Sequence, residues 1–287
     1  MKLNCKKNKI ILFVSTLSLL CVYFFWSYYS FRENRNLKVY FLDVGQGDAI
    51  FIQTPNKQNI IIDMGSEKGV KELNKIIPWW SKNIDMAIIT HPHDDHIAGF
   101  PLLIKKYKIK KIIFTGASYS SPLYQEVLKI IDEKNLNLLI PQPEQNIKID
   151  ENCYLKFLFP IDSMAGKEME SLNNSSIVIQ LICKNSIFLF TGDAEEEIEK
   201  KILEKNYDLK SDVLKVGHHG SISSTNQEFL NKIDPKIAII MVGKNNKFNH
   251  PSLRTINKLK KIGAETFRTD LNGNILIISN GEKIYKK

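Results

Sequence analysis

The run Thr90-His91-Pro92-His93-Asp94-Asp95-His96-Ile97-Ala98-Gly99 constrains this chain more than any other stretch, because it sets three imidazoles and two carboxylates within six consecutive positions. A cluster of that density is costly to bury unless cations neutralise it, and imidazole nitrogen with carboxylate oxygen suits zinc or manganese. The apolar run Asp85-Met86-Ala87-Ile88-Ile89-Thr90 predicts a buried strand with His91 at its C-terminal end. The spacing of Ile97, Phe100, Leu103 and Ile104 predicts a helix directly after it. The candidate ligands therefore belong on a strand-to-helix turn.

The rest of the chain alternates in the same way. Strands are predicted at Lys38-Leu42, Ala49-Ile52 and Asn59-Ile62, joined by short turns that favour a mixed sheet over a doubly wound one. Further strands are predicted at Cys153-Phe159, Ser176-Cys183, Ser186-Phe190, Ser211-Val216, Ile237-Val242 and Ile275-Ser279. Helices are predicted over 121–135, with Ser121 as N-cap and Pro122 at the first position, and over Ala194-Glu204 and Pro251-Ile262. Strands and helices recurring in two halves fit an αββα sandwich with the site at one edge of the two sheets. Asp43 and Asp48 bound a glycine-rich turn, and Asp48 and Asp63 lie at strand ends, where a carboxylate is either a turn cap or the group that orients a metal-bound histidine.

Residues 1–36 read differently. From Ile10 to Tyr29 the chain carries no charge, about 30 Å as a helix, and Lys2, Lys6, Lys7 and Lys9 precede that run. The expectation is an N-terminal membrane anchor, with Trp26, Tyr28 and Tyr29 at the outer interface and residues 37–287 outside the cell; the alternative is a cleaved signal segment and a secreted protein. Much of the formal charge of +9 sits in this segment, so it says little about the substrate. Cys153 and Cys183 show no metal or redox spacing and are expected as packed thiols.

His91-x-His93-x-Asp95-His96, followed by an apolar residue and Gly99, resembles the signature of metallo-β-lactamase-fold hydrolases. The resemblance implies two divalent metal ions, zinc or manganese, the first held by His91 and His93 and the second by Asp95 and His96. Asp193 would bridge them, and His218 or His219 would complete the second site. Adjacent residues on a strand end point oppositely, which favours His219 as ligand and His218 as a phosphate contact or proton donor. Together with Asp43-Val44-Gly45-Gln46-Gly47-Asp48, Leu172-Asn173-Asn174-Ser175-Ser176, Thr191-Gly192-Asp193 and Val216-Gly217-His218-His219-Gly220-Ser221, the chain is similar to the hydrolase domain of ComEC-type competence proteins. Those are DNA-uptake channel proteins with a multi-span membrane domain. One hydrophobic span is seen here, so pore formation does not follow. Where many relatives carry a further histidine, this chain offers Asn173 to Ser176.

Two divalent cations set against Asp95, Asp193 and one hydroxide leave the site net positive, a field that favours an anionic phosphoester. The expected reaction is attack of a metal-bound hydroxide on phosphorus by a phosphodiesterase or nuclease, with Asp95 and Asp193 at the metals. His218, Ser221 or His250 would assist the leaving oxygen, and Asp43, Asp48, Asp63, Asn173 and Ser176 would support the site. DNA is the partner the resemblance implies, and Lys105–Lys111 and Lys244–Lys247 are the candidate contacts. The alternatives are a cell-wall or lipid phosphoesterase of the choline-phosphate type, and a non-catalytic metal-binding module.

Overall fold

A computed structural model describes residues 13–26, 35–142 and 144–287 of the chain, which divides into two units, Met1–Asn36 and Leu37–Lys287. In the first unit residues 13–26 form α1. Among the described residues no helix is long and apolar enough to cross a membrane. The single-pass anchor expected over Ile10–Tyr29, and the outside location built on it, are thereby corrected. Tyr28, Tyr29 and the four leading lysines lie outside the described residues.

The second unit is built from strands β1 (Leu37–Phe41), β2 (Ala49–Gln53), β3 (Asn59–Met64), β4 (Asn83–Ile84), β5 (Met86–Ile88), β6 (Lys108–Ile109), β7 (Ile112–Ile113) and β8 (Leu138–Leu139). These are followed by β9 (Asn146–Asp150), β10 (Cys153–Phe159), β11 (Val178–Cys183), β12 (Ser186–Phe190), β13 (Val213–Lys215), β14 (Ile237–Ile240), β15 (Glu265–Arg268), β16 (Ile275–Ser279) and β17 (Ile284–Lys286). One mixed sheet runs β17-β16-β1-β2-β3-β5-β7-β8 and a second runs β15-β14-β13-β12-β11-β10-β9. Helices α2 (Glu67–Ile76), α3 (Asp94–Ile97), α4 (Phe100–Lys106) and α5 (Pro122–Glu133) come from the first half of the unit. The second half supplies α6 (Glu196–Glu204), α7 (Gln227–Ile233), α8 (Leu253–Lys261) and α9 (Thr269–Asn272).

Two-residue periodicity decides the layers. Along β1, Leu37, Val39 and Phe41 enter a core shared with Phe188 and Phe190 of β12, while Leu189 of β12 turns to the opposite face. That central core lies between the sheets. A second core packs α2, α4 and α5 on Phe51, Ile61 and Ala87 of the first sheet, and a third packs α6, α7 and α8 on Leu189, Leu214 and Ala238 of the second. The expected αββα order is present. The helix expected across Ile97–Ile104 is two, broken at Ala98-Gly99, because Gly99 N–H donates to Met64 O at 2.7 Å and a side chain at Gly99 would collide with the backbone of Met64 and Ser66. Cys153 and Cys183 stand opposite each other in the β10–β11 pair with their sulfurs joined in a disulfide, rather than as separate thiols.

The parallel pairs β3–β5–β7 and β12–β13 send their C-terminal ends to one edge of the sandwich. Asp63, His91, Asp193 and Lys215 leave their strands there. Lys108–Lys111 precede β7 and so lie at its opposite end, where Lys110 pairs with Asp85 at 2.6 Å.

Candidate metal centre

Backbone packing comes first, because it fixes the ligand turn. Asp48 N–H donates to Asp95 O at 3.1 Å, and Gly65 N–H donates to Asp48 O at 2.8 Å. Gly47 and Gly65 both face the Asp95 carbonyl so closely that a Cβ at either position would overlap it. The glycines of the two turns are therefore spaces for the backbone of the His91–His96 loop.

Hydrogen bonds then turn the imidazoles. Thr90 Oγ1 donates to Asp63 Oδ2 at 2.6 Å, so its oxygen is left to accept from His91 Nδ1 at 3.1 Å. His96 Nδ1 donates to Asp63 Oδ2 at 2.8 Å, and His219 Nδ1 donates to Met241 O at 2.9 Å. Each of the three rings thus commits Nδ1–H to a fixed acceptor and frees Nε2 to ligate, the usual arrangement behind a metal-bound histidine.

The free atoms converge. His96 Nε2 and His219 Nε2 lie 3.3 and 3.2 Å from Asp193 Oδ2, and His219 Nε2 lies 3.3 Å from Asp95 Oδ2. Ligand atoms of His91, His96 and Asp193 lie within 4.8 Å of one another, as do those of Asp95, His96 and His219. Yet His96 Nε2 and His219 Nε2 are buried with no hydrogen bond. Buried polar atoms this close that do not bond one another fit a cation between them. His93 stands beside His91, with its Nδ1 3.1 Å from His91 Nε2, outside those two trios.

Charge follows from the same packing. Burial disfavours the protonated form of His96 and His219, but Asp193 beside both outweighs it and raises each well above the ordinary histidine value. Burial would raise Asp193, and His219 and His96 hold it well below the usual carboxylate range. His91 is lowered well below the ordinary value by burial.

Other residues named from the sequence differ in what they touch. Ser176 Oγ accepts from Asp193 N–H at 3.0 Å and so sets the carboxylate's backbone. Asn173 has a buried Oδ1 without a partner, and its Nδ2 is 3.4 Å from His218 Nε2. Asp43 pairs with Lys68 at 2.7 Å and caps Gly45, and it joins neither trio. His218 and His219 do not follow strand alternation: both sit in a 3-10 turn with φ of 45° and 52°. His219 faces the cluster, whereas His218, 22% exposed, faces the cleft with Nε2 3.9 Å from Asp193. Ser221 is buried and its Oγ accepts from Ser223 N–H at 3.2 Å, a turn bond. His250 lies 5.5 Å from the His218 ring, is stacked on Phe248, and lines the cleft. That cleft encloses about 320 Å³ between Gln46, Tyr119, Phe248 and the histidines.

Sequence reasoning missed Lys215 and the pair Ser223–Glu195. Ser223 Oγ donates to Glu195 Oε1 at 2.9 Å and contacts His218 Nδ1 at 3.2 Å. Lys215 Nζ contacts Asp48 Oδ2 at 2.5 Å, donates to Gly192 O at 2.7 Å and lies 3.6 Å from Asp193 Oδ1. Burial opposes its charge, but Asp48 and Asp193 outweigh burial and raise the ammonium above the ordinary lysine value. The available signal was a lysine inside the apolar strand Val213-Leu214-Lys215-Val216.

Comparison with known proteins bears on this geometry. The pattern of the Metallo-beta-lactamase superfamily matches residues 42–244. ComE operon protein 3 of Bacillus subtilis strain 168 is 32% identical over 253 residues, 82% of this chain and 32% of that protein. Competence protein ComA of Neisseria gonorrhoeae is 26% identical over 241 residues, 80% of this chain and 30% of that protein. The chain thus spans about a third of the length of these relatives. The solved structure of CmlA, a diiron beta-hydroxylase from Streptomyces venezuelae, has the same fold at a TM-score of 0.56, with 12% identity over 88% of this chain and 54% of that one. With the converging ligand atoms, these likenesses make the chain a member of the metallo-beta-lactamase superfamily, related to the ComEC-type competence proteins.

Proposed function

We propose that the chain is a metal-dependent phosphodiesterase that cleaves nucleic acid strands. His91 and Asp193, with His93 alongside, would hold one divalent cation, and Asp95, His96 and His219, with Asp193, a second. Such cations supply Lewis-acid charge and lower the pKa of a bound water toward about 7.

The observation that carries the reading is His218. The Ser223 hydroxyl commits its proton to Glu195, so its oxygen accepts from His218 Nδ1–H and the neutral ring keeps a lone pair on Nε2, toward the cleft. Burial lowers His218 below the ordinary histidine value, which keeps the ring neutral and able to take a proton at Nε2. His218 therefore accepts the proton released on attack and returns it to the leaving oxygen. His250, also lowered by burial, offers a second neutral imidazole 5.5 Å away to a phosphate oxygen. Phe248, 52% exposed beneath Lys247 at 5.2 Å, puts an aromatic ring at the rim for a base to contact and a charge for its phosphate. The resemblance to ComEC-type competence proteins, which take up DNA, supports a nucleic acid substrate.

A second reading, an esterase for phosphoesters that carry a cationic group, is favoured by one observation. A neighbouring cavity of about 590 Å³ shares His93 and Tyr119 with the cleft and is lined by exposed Glu168 and Glu170, which repel a polyanion and attract a cation.

The full chain, loaded with manganese or zinc, is assayed on single-stranded DNA, on bis-p-nitrophenyl phosphate and on p-nitrophenylphosphorylcholine. Cleavage of DNA with loss in Asp193→Ala is expected. Hydrolysis of the choline ester without DNA cleavage favours the second reading, and inactivity in every metal leaves a binding module.

A further inference from the structure

Lys215 is the only lysine or arginine among the buried described residues, and its side chain is 0% exposed. It leaves β13 on the same face as Val213, which lies in the core between the sheets, so the lysine's stem rises through that core to the edge where the ligands gather. Its ammonium ends between two carboxylates from different sheets. Asp48 immediately precedes β2 of the first sheet and lies 2.5 Å away; Asp193 follows β12 of the second and lies 3.6 Å away. The carbonyl of Gly192, next to Asp193, accepts a third contact at 2.7 Å.

This placement sorts the oxygens of both carboxylates. Asp193 gives Oδ1 to the lysine side and Oδ2 to His96 and His219. Asp48 gives Oδ2 to Lys215 and turns Oδ1 to within 3.4 Å of His219 Nδ1. Asp48, Asp193 and His219 have the spacing of a metal-binding trio, but the ammonium touches two of its three members. The charge that a cation would bring to this trio is already supplied by the chain.

We propose that the Lys215 ammonium is a built-in counter-cation that holds the carboxylates of the two sheets together before any metal arrives, so that the centre is folded in the metal-free protein. The proposal rests on reading the cluster as a metal centre. Asp48, Asp63 and Asp193 are all buried; His96 and His219 offset part of their charge, but among the described residues Lys215 is the ammonium that bridges Asp48 and Asp193 across the seam between the sheets. A lysine that merely fills space contributes equally with and without metal. A counter-cation is needed most when the metal is absent, because a cation bound at Asp193 takes over part of its work.

The test is the melting temperature of the full chain in chelator and in saturating manganese, for wild type, Lys215→Met and the double variant Asp48→Asn with Lys215→Met, with manganese uptake by wild type measured alongside. Loss of one partner of a buried pair is expected to lower the melting temperature of Lys215→Met in chelator by about 10 °C, and by less than half as much in manganese. Removing the Asp48 charge as well is expected to recover most of the loss in chelator, which also covers the case in which Lys215→Met alone does not fold without metal. Equal losses in chelator and manganese, no loss at all, or no recovery in the double variant overturns the proposal while leaving the metal centre intact. A wild type that takes up no manganese overturns the metal-centre reading itself, and this proposal with it.

Discussion

Gly47 and Gly65 meet at one atom, the carbonyl oxygen of Asp95, and that contact sets how far a ligand loop can approach the strands behind it. Gly65→Ala is expected to push the loop outward at a cost of about 1–3 kcal/mol, read as a lower denaturant midpoint together with weaker metal binding. Asp63 acts one step further back, through three donors: Thr90 N–H at 2.8 Å, Thr90 Oγ1 and His96 Nδ1. Asp63→Asn is expected to lower metal affinity by about 10–100-fold, measured by competition with a chromogenic chelator. His218 is the contrasting case. His218→Asn is expected to keep the metal content and lower turnover by about 100-fold or more, and equal loss of metal would place His218 among the ligands instead. At this scale the candidate ligands His91, Asp95 and His96 were legible because one turn carries all three, with His93 beside them outside the trios. Lys215 was not, because its partners Asp48 and Asp193 arrive from two different sheets and no local spacing records that meeting.

Elements show the same division. Strand patterns such as Leu37-Lys38-Val39-Tyr40-Phe41 were legible because alternate residues face the central core. Boundaries set by remote contacts were not. Ser121 precedes α5 as expected of an N-cap, but its hydroxyl donates to Asp94 at 3.1 Å rather than to its own helix. The break between α3 and α4 depends on Met64 and Ser66 crowding Gly99, contacts far away in sequence. Helix α6 carries an element-scale consequence through Glu199, which is buried and accepts Thr225 N–H at 2.7 Å and Asn226 N–H at 2.6 Å at the start of α7. Burial raises Glu199 to about 7, more than the two N–H groups lower it. The folded protein then keeps a proton here that the unfolded chain gives up near pH 4–5, so this contribution to stability is full at low pH and is lost as pH rises through about 7. The expected loss is on the order of 3 kcal/mol. Denaturant titrations of wild type and Glu199→Gln at pH 5 and pH 8 check it: the wild type's relative stability should fall between the two.

For the whole molecule, the two lysine-rich segments part company. Lys105–Lys111 lie toward the end of the sheet opposite His91, whereas Lys247 stands over Phe248 at the rim of the cleft. Strand polarity decides that separation, and it was not legible because nothing in a lysine run says which end of a parallel sheet it will occupy. If a nucleic acid strand enters the cleft, Lys244→Ala with Lys247→Ala should reduce the salt slope of oligonucleotide binding by about 1.4 for two lost contacts, and replacing Lys105, Lys106 and Lys108 should change it less. The αββα architecture was legible as a whole because both halves repeat strand and helix and each layer has its own apolar face. The N-terminal anchor read from the uncharged run, its leading lysines and its aromatic end is not supported, since no helix among the described residues is long and apolar enough to cross a membrane. The central claim, that the converging histidines and aspartates form a metal-dependent phosphodiesterase centre, is tested most directly by titrating manganese into chelated full-length chain while following bis-p-nitrophenyl phosphate hydrolysis, with Asp193→Ala in parallel. The account predicts a rate that rises with metal occupancy and falls at least about 100-fold in the variant; metal binding with no hydrolysis, or hydrolysis that Asp193→Ala leaves unchanged, would contradict it.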